Sequence, residues 1–319
     1  MSNFTVSRLG QANLTGDVQA LFATTFEKEV LRTYLAKTMM KPLIGFKALR
    51  GSKSFKFPLL GSASAAYYPT PGVELTGGQL AAEEITIGSD DKLISQAFID
   101  ELEEVINHYD VRAPYVEQLT QALAVTQDRN ALRSIAIAAR DPGKIGQGGG
   151  SSVVSAFNTA DLIRSAIISA KQKMEEKNVA VDSKPIRAML KTADYYLYAN
   201  SDKAVNKDYN GGTGSIAQTA PRLTIDGVEL YRSSTATNGV NPFGVNSSAD
   251  ADIAPRYRAN FSNTVAVVWS PDAVLMAEVQ PVQTQMESTV RNQGTLVVAK
   301  WTGGIGTFRP TDAVEIKTA

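Results

Sequence analysis

The order of elements along the chain predicts an α+β fold. An extended, alternating segment at 49–88 is followed by helical periodicity and then by a mixed middle. Runs of strand material return after residue 264. An arm, then helices, a mixed middle and finally strands is not the alternation that builds a parallel α/β sheet. No repeat of the period that marks solenoids or propellers is present.

The first extended segment, residues 49–88, is also the most informative. Phe55, Phe57 and Leu59 alternate with Lys and Pro, and Glu84-Ile85-Thr86-Ile87-Gly88 alternates again on the return limb. The connection between them is rich in Gly, Ser and Pro and carries Tyr67, Tyr68 and Glu74. A two-stranded arm of this kind is marginal in water by itself. Long excursions from compact domains are commonly functional extensions. The expectation is an arm without a core of its own that lies on a neighbouring subunit, hence an assembly protein.

The other elements follow in order. Residues 17–38 carry an apolar stripe that includes Phe22 and Phe26, with Asp17 as N-cap. Asp100 and Glu103 form a capping-box-like pair at the start of a short helix. Pro114 opens a long helix to Arg140, with Val116, Leu119, Leu123, Leu132 and Ile135 as its buried set. Asp141-Pro142-Gly143 ends it, and 145–152 reads as a flexible linker. A further helix is expected over 158–177, capped by Asn158, with lysines in its last turns. A strand at 185–190, a tyrosine-rich helix at 193–200 and a hairpin turning at Asp226-Gly227 come next. Residues 236–260 read as loop. The closing strands are expected at 265–269, 279–282, 295–301 and 313–316.

Composition excludes several function classes. The chain has 319 residues, of which 32 are basic and 32 acidic, so its formal net charge is zero. A protein built to grip nucleic acid shows a basic excess, because phosphate neutralisation supplies that affinity. The absence of cysteine removes disulfides, thiolate nucleophiles and cysteine-bound metals. No basic-then-apolar leader opens the sequence, and no apolar run is long enough for a membrane helix. The four Asn-X-Ser/Thr matches, at Asn3, Asn13, Asn246 and Asn260, are read as chance.

No catalytic constellation stands out. His108 is the single histidine and no Gly-X-Ser-X-Gly elbow accompanies it, so a hydrogen-bonded helix-end histidine is the expected reading. The glycine clusters at 146–150, 211–214 and 303–306 fit no phosphate-binding pattern and are read as flexible loops. The acids at 100–104 sit where they favour a helix dipole, and Asp250 with Asp252 lacks the rest of a calcium loop. Tyr195, Tyr196 and Tyr198 are expected to pack rather than stack on bases. The chain is expected to be no enzyme and to use no cofactor or metal.

Several of these segments resemble, in the same order, the major capsid proteins of short-tailed, T-seven-like bacteriophages. They are Lys53–Gly61, Ala65-Ala66-Tyr67, Pro71–Leu75, Glu101–Arg112, Arg222–Tyr231 and Arg291–Pro310. The resemblance implies the Hong Kong 97 (Johnson) capsid fold. Residues 1–48 would form an N-terminal arm and 49–88 an extended loop. A discontinuous peripheral domain of 89–148 and 265–319 would carry the long spine helix, and 149–264 would form an axial domain.

The implied function is self-assembly, through hexamers and pentamers, into an icosahedral head around a double-stranded DNA genome. Candidate inter-subunit contacts are Phe22, Phe26, Phe55, Phe57, Tyr67, Tyr68 and Glu74. The implied partners are further copies of the chain, a scaffolding protein, a portal and a decoration protein, with weak sequence-independent contact to DNA and none to membrane. The implied location is the virion, assembled in the bacterial host cytoplasm. Lys53 and Lys56 lie in the loop, but no lysine–asparagine cross-link is expected. The alternative within the same fold is an encapsulin-like nanocompartment shell.

Overall fold

The computed structural model describes residues 39–61, 63, 79–101, 112–145, 148–201, 223–233, 241–289 and 293–319. The expected helix at 17–38 with Phe22 and Phe26, the arm tip with Tyr67, Tyr68 and Glu74, and His108 lie outside them. So does the glycine cluster at 211–214. The described chain divides into two compact units, one of 90–127 with 279–303 and one of 39–89 with 128–278 and 304–319.

Three of the elements in the first unit continue into the second. Helix α1 (Arg112–Arg140) has 29 residues, about 43 Å at the usual rise of about 1.5 Å. It ends at Arg140, as the Asp141-Pro142-Gly143 stop requires, and Leu119 and Leu123 are buried in its first half. Strands β10 (Val274–Thr289) and β11 (Gly294–Thr307) are neighbours in a four-stranded sheet. Strand β4 (Leu93–Asp100) pairs antiparallel with the start of β11, from Gly294↔Asp100 to Trp301↔Leu93. Phe98, Ile99, Val297, Ala299 and Trp301 are buried here. Asp100 therefore ends a strand; the helix expected from it falls beyond the described residues except at Glu101.

The second unit is organised by a six-stranded sheet in the order β5-β12-β9-β6-β8-β7. Its members are β5 (Ser151–Val154), β6 (Arg187–Lys191), β7 (Thr224–Ile225), β8 (Val228–Ser233), β9 (Thr264–Trp269) and β12 (Ala313–Lys317). Helix α2 (Ala160–Glu175) packs on β5 and β12 and against α3 (Thr192–Ala199). Ile163, Ala166, Ile167, Ala170 and Met174 meet Leu190, Val268 and Ile316 in a common core. The N-cap of α2 is Thr159, whose hydroxyl accepts from Leu162 N at 3.3 Å, and not Asn158 as expected. Asp226 and Gly227 both have positive φ, 48° and 78°, the backbone that a two-residue primed hairpin turn demands.

β9 and β12, placed in the peripheral segment 265–319, pair with each other and with β6 and β5 of the segment 149–264. Gly304 and Gly306 correct the flexible-loop reading of 303–306. They lie inside β11, and a Cβ on Gly304 would come within 2.2 Å of Gly88 O. The missing side chains let two backbones approach.

The remaining strands of the second unit form the arm and its seat. β1 (Gly45–Ala48) runs parallel to Leu275–Glu278 of β10. β2 (Ser54–Leu60) and β3 (Ala82–Gly88) pair antiparallel, from Ser54↔Gly88 to Leu60↔Ala82.

Candidate functional site

For a chain whose sequence points to assembly, the candidate site is a surface rather than a cleft. The arm β2/β3 comes first. Its alternation places Phe55, Phe57 and Leu59 on the same side as Ile85 and Ile87, and that side is not bare. Ile85 and Ile87 are buried with Leu49 and Ala277, and Phe55, Phe57, Leu59, Leu275 and Phe308 pack around them. Phe57 lies 4.3 Å from Phe55 and 4.8 Å from Phe308, centroid to centroid. The ammonium of Lys47 sits 3.3 Å from the Phe55 ring centroid, a cation–π contact.

The expectation of an arm with no core of its own is thus corrected at its root. Lys47 and Leu49, just ahead of the strand pair, and Leu275, Ala277 and Phe308, near the end of the chain, supply the surface. Adjacency in sequence gives no sign of the last three. Phe55 and Phe57 are packed within their own subunit, while their part in contacts between subunits stays a proposal.

The far end of the described arm differs. Leu60 is 71% exposed and Leu80 50%, beside the rung where Gly61 N donates to Ala81 O at 2.7 Å, and Ile145, 44% exposed, lies against Gly61. Ile145 is drawn there by its own N–H, which donates to Glu83 at 3.1 Å, and by Lys144, which pairs with Glu83 at 3.1 Å. These contacts hold Glu83 below the ordinary carboxylate range, the Ile145 amide most of all. Lys56 pairs with Glu84 across the hairpin at 2.9 Å.

Strand edges are the second element of the surface. Past Glu278, β10 has no described strand on the side that β1 occupies, and residues 281–288 are exposed on both faces. Val282 and Met286 belong to that stretch. An unpaired edge of this length is a template for another strand.

The outer edge of the six-stranded sheet is treated differently. The register Val153↔Ile316, with Ser155 N donating to Lys317 O, turns Ser152 and Gly150 away from β12. Lys173 of α2 donates to Ser152 O at 2.5 Å, and Lys177 to Gly149 O and Gly150 O at 2.5 and 2.7 Å. Gly150 N is taken by Asp141 O at 2.8 Å. Desolvation, together with Lys173 nearby, depresses the Lys177 ammonium below its ordinary value. This edge is closed by the chain's own lysines.

Among the described residues no group of three His, Asp or Glu could hold a metal ion. Asp250 accepts from Asp252 N at 3.0 Å in an exposed turn, a local structural role. Tyr198 is buried, and Tyr195 and Tyr196 meet edge to face under Arg232, which donates to Tyr196 Oη at 2.5 Å.

The buried charges serve packing. Glu315 is 0% exposed and receives Arg140 through Nε at 2.7 Å and Nη2 at 2.5 Å, and Thr264 through its hydroxyl. Burial pushes its carboxyl up, but the Arg140 and Thr264 bonds and the charges of Arg140 and Lys317 outweigh that and hold it below 4.5. Lys184 bridges Asp272 at 2.7 Å and Asp312 at 3.2 Å. Burial opposes its charge, yet those two acids raise its pKa above the ordinary value. No helix among the described residues is long and apolar enough to cross a membrane.

Comparison with known proteins gives a single answer. The family described as Gp10A-like major capsid protein matches residues 56–317. The chain is 33% identical over 129 residues to the major capsid protein of Enterobacteria phage T3, and 34% over 123 residues to that of Escherichia phage T7. Those matches take in 40% and 38% of this chain and span only 37% and 35% of the relatives' own lengths. The capsid structure of the cyanophage P-SCSP1u is similar at a TM-score of 0.77 and 28% identity, over 100% of this chain and 99% of that one. The mature capsid of bacteriophage PhiM1 has the same TM-score at 17% identity, over 98% and 97%, and shows the fold alone. The Hong Kong 97-type fold expected from the resemblance is therefore the fold observed, and the chain belongs to the Gp10A-like major capsid protein family.

Proposed function

We propose that this chain assembles with copies of itself, through hexamers and pentamers, into the icosahedral head of a tailed phage, closed around its double-stranded DNA. The observation that carries the reading is the arm, whose root is packed on its own subunit while its described end presents Leu60, Leu80 and Ile145 to solvent. A strand pair anchored at one end and apolar at the other is suited to reach a second copy. The tip residues Tyr67, Tyr68 and Glu74, and Phe22 and Phe26 of the N-terminal segment, are the proposed contacts. The open edge of β10 is a second place for main-chain pairing. Contacts repeated around a ring close it, and many modest contacts over a shell sum to a stable particle.

In this reading the unit containing 90–127 and 279–303 takes the peripheral role. The six-stranded sheet takes the axial one, with 313–319 joining it rather than the periphery. A scaffolding protein, a portal and a decoration protein are the further proposed partners, and assembly takes place in the host cytoplasm. The zero net charge fits packaged DNA held without strong binding, and the protein's work is structural rather than enzymatic. The family match and the phage capsids among similar structures favour a genome-enclosing head over a nanocompartment. Deleting residues 61–78 is the test: the expected product is a folded subunit that forms no stable shells. Shells of normal yield and stability from that deletion would contradict the reading.

A further inference from the structure

Asp128 lies in α1 and is 1% exposed, yet among the described residues no ion pair serves it. Its partners are two backbone amides from the far end of the described sequence. Oδ2 accepts from Met39 N at 2.7 Å and Oδ1 from Met40 N at 3.1 Å. Met40 is itself fully buried. The same short segment is held twice more: Lys41 reaches both oxygens of Glu278 at 3.1 Å, and Leu43 O accepts from Arg187 at 2.8 Å and Trp269 at 3.1 Å. In chain order, Asp128 is the first of these holds after residues 1–38.

The charged groups around this junction are engaged elsewhere. Lys41 is spent on Glu278, and Arg187 lies beside Glu229 at 3.8 Å while bonding Leu43. On α1, Arg133 feels Arg129 and Asp250, and neither arginine pairs with Asp128. Burial therefore dominates: it raises the Asp128 carboxyl to about 6, and the two amide bonds only partly oppose it.

We propose that Asp128 is a proton-tuned clasp on the root of the N-terminal segment, firmest when its carboxyl is neutral and looser once the proton leaves. A neutral carboxyl still offers a lone pair to each amide, so the geometry survives protonation while the cost of burying a charge disappears.

The sign follows from linkage. With the clasp closed, burial raises the carboxyl from its ordinary 3.8 to about 6, and an opening that admits water to both oxygens removes that cause. The closed form binds the proton more tightly, so closure strengthens as pH falls through 6 and is weakest, at a constant level, well above it. The gap of about two units corresponds to about a hundredfold in the open-to-closed ratio, of which about tenfold falls between pH 8 and pH 5. The consequence for assembly rests on the shell reading, because the clasp sets how firmly Met39 and Met40 are held on α1. The chemistry does not, and it is measured on unassembled subunits.

The experiment is amide hydrogen exchange on the full-length subunit between pH 5 and pH 8, corrected for intrinsic rates, following Met39 and Met40. The expected result is protection about tenfold higher at pH 5 than at pH 8, with the change setting in near pH 6. Asp128→Asn, permanently neutral, is expected to abolish this pH dependence, and Glu278→Gln, which removes the charge that holds Lys41, to keep it. Protection at Met39 and Met40 that is flat with pH, or that rises with pH, overturns the proposal. So does an Asp128→Asn subunit that keeps the wild-type profile. If that variant does not fold, the wild-type profile alone decides.

Discussion

A carboxylate as enclosed as Glu315 survives in the core because every direction it could demand is met. Arg140 approaches it through two nitrogens, Thr264 through a hydroxyl, and Lys317 at 3.1 Å. Removing one partner of such a pair costs more than the pair contributes, since it strands a charge in a medium that cannot solvate it. Arg140→Met is predicted to lower subunit stability by about 3 kcal/mol in urea denaturation at pH 7. Glu315 is held below its ordinary value, so its contribution is present above pH 4.5 and lost as pH falls below it. The gap between wild type and variant should therefore close toward acid pH. At the arm root, Phe57→Ala is predicted to destabilise the isolated subunit by about 2 kcal/mol, roughly half the cost of a fully buried phenylalanine. A loss seen only in assembled particles would instead mean that Phe57 acts across subunits.

At the scale of elements, local signals were legible and distant ones were not. The Asp226-Gly227 hairpin, α1, α2 and β9 announce themselves because turn chemistry and apolar period reside within one window. The seat of the arm does not: β1 has four residues, and its pairing with Leu275–Glu278 joins segments far apart in sequence. β5 is hidden in a Gly/Ser stretch, and β4 by the adjacent buried pair Phe98 and Ile99, which breaks a clean alternation. Pro281 concealed the length of β10. A proline is tolerated there because that part of the strand is an edge among the described residues. The lysines that close the β5 edge could have been suspected from their place in the last turns of α2, but only the register of β5 shows what they cap. Lys173→Met with Lys177→Met is predicted to uncover that edge and to add concentration-dependent association in sedimentation velocity. The Lys→Arg pair should restore wild-type behaviour, and an unchanged profile for the Met pair would count against the guarding role.

At the scale of the whole molecule, the sequence carried the fold class and the family through a set of individually weak segments in a fixed order. The division of labour within the chain stays a proposal. β9 and β12 complete the six-stranded sheet, while 279–289 of β10 and 294–303 of β11 belong to the other unit. Strands of one hairpin can serve two units because pairing, not chain order, defines a sheet. The candidate contacts were legible only as a class: apolar residues on an arm. Some of them, Phe55 and Phe57, turn out to anchor the arm, and exposed Leu60, Leu80 and Ile145 were not singled out.

The central claim is that the arm makes one subunit into part of a shell. Its most direct test is negative-stain electron microscopy, beside light scattering, of the chain and the 61–78 deletion, expressed under the same conditions. Closed shells, or sheets of capsomer-like rings, from the full-length chain and only folded, soluble subunits from the deletion are the predicted result. Shells from both in equal yield, or none from either, would contradict it.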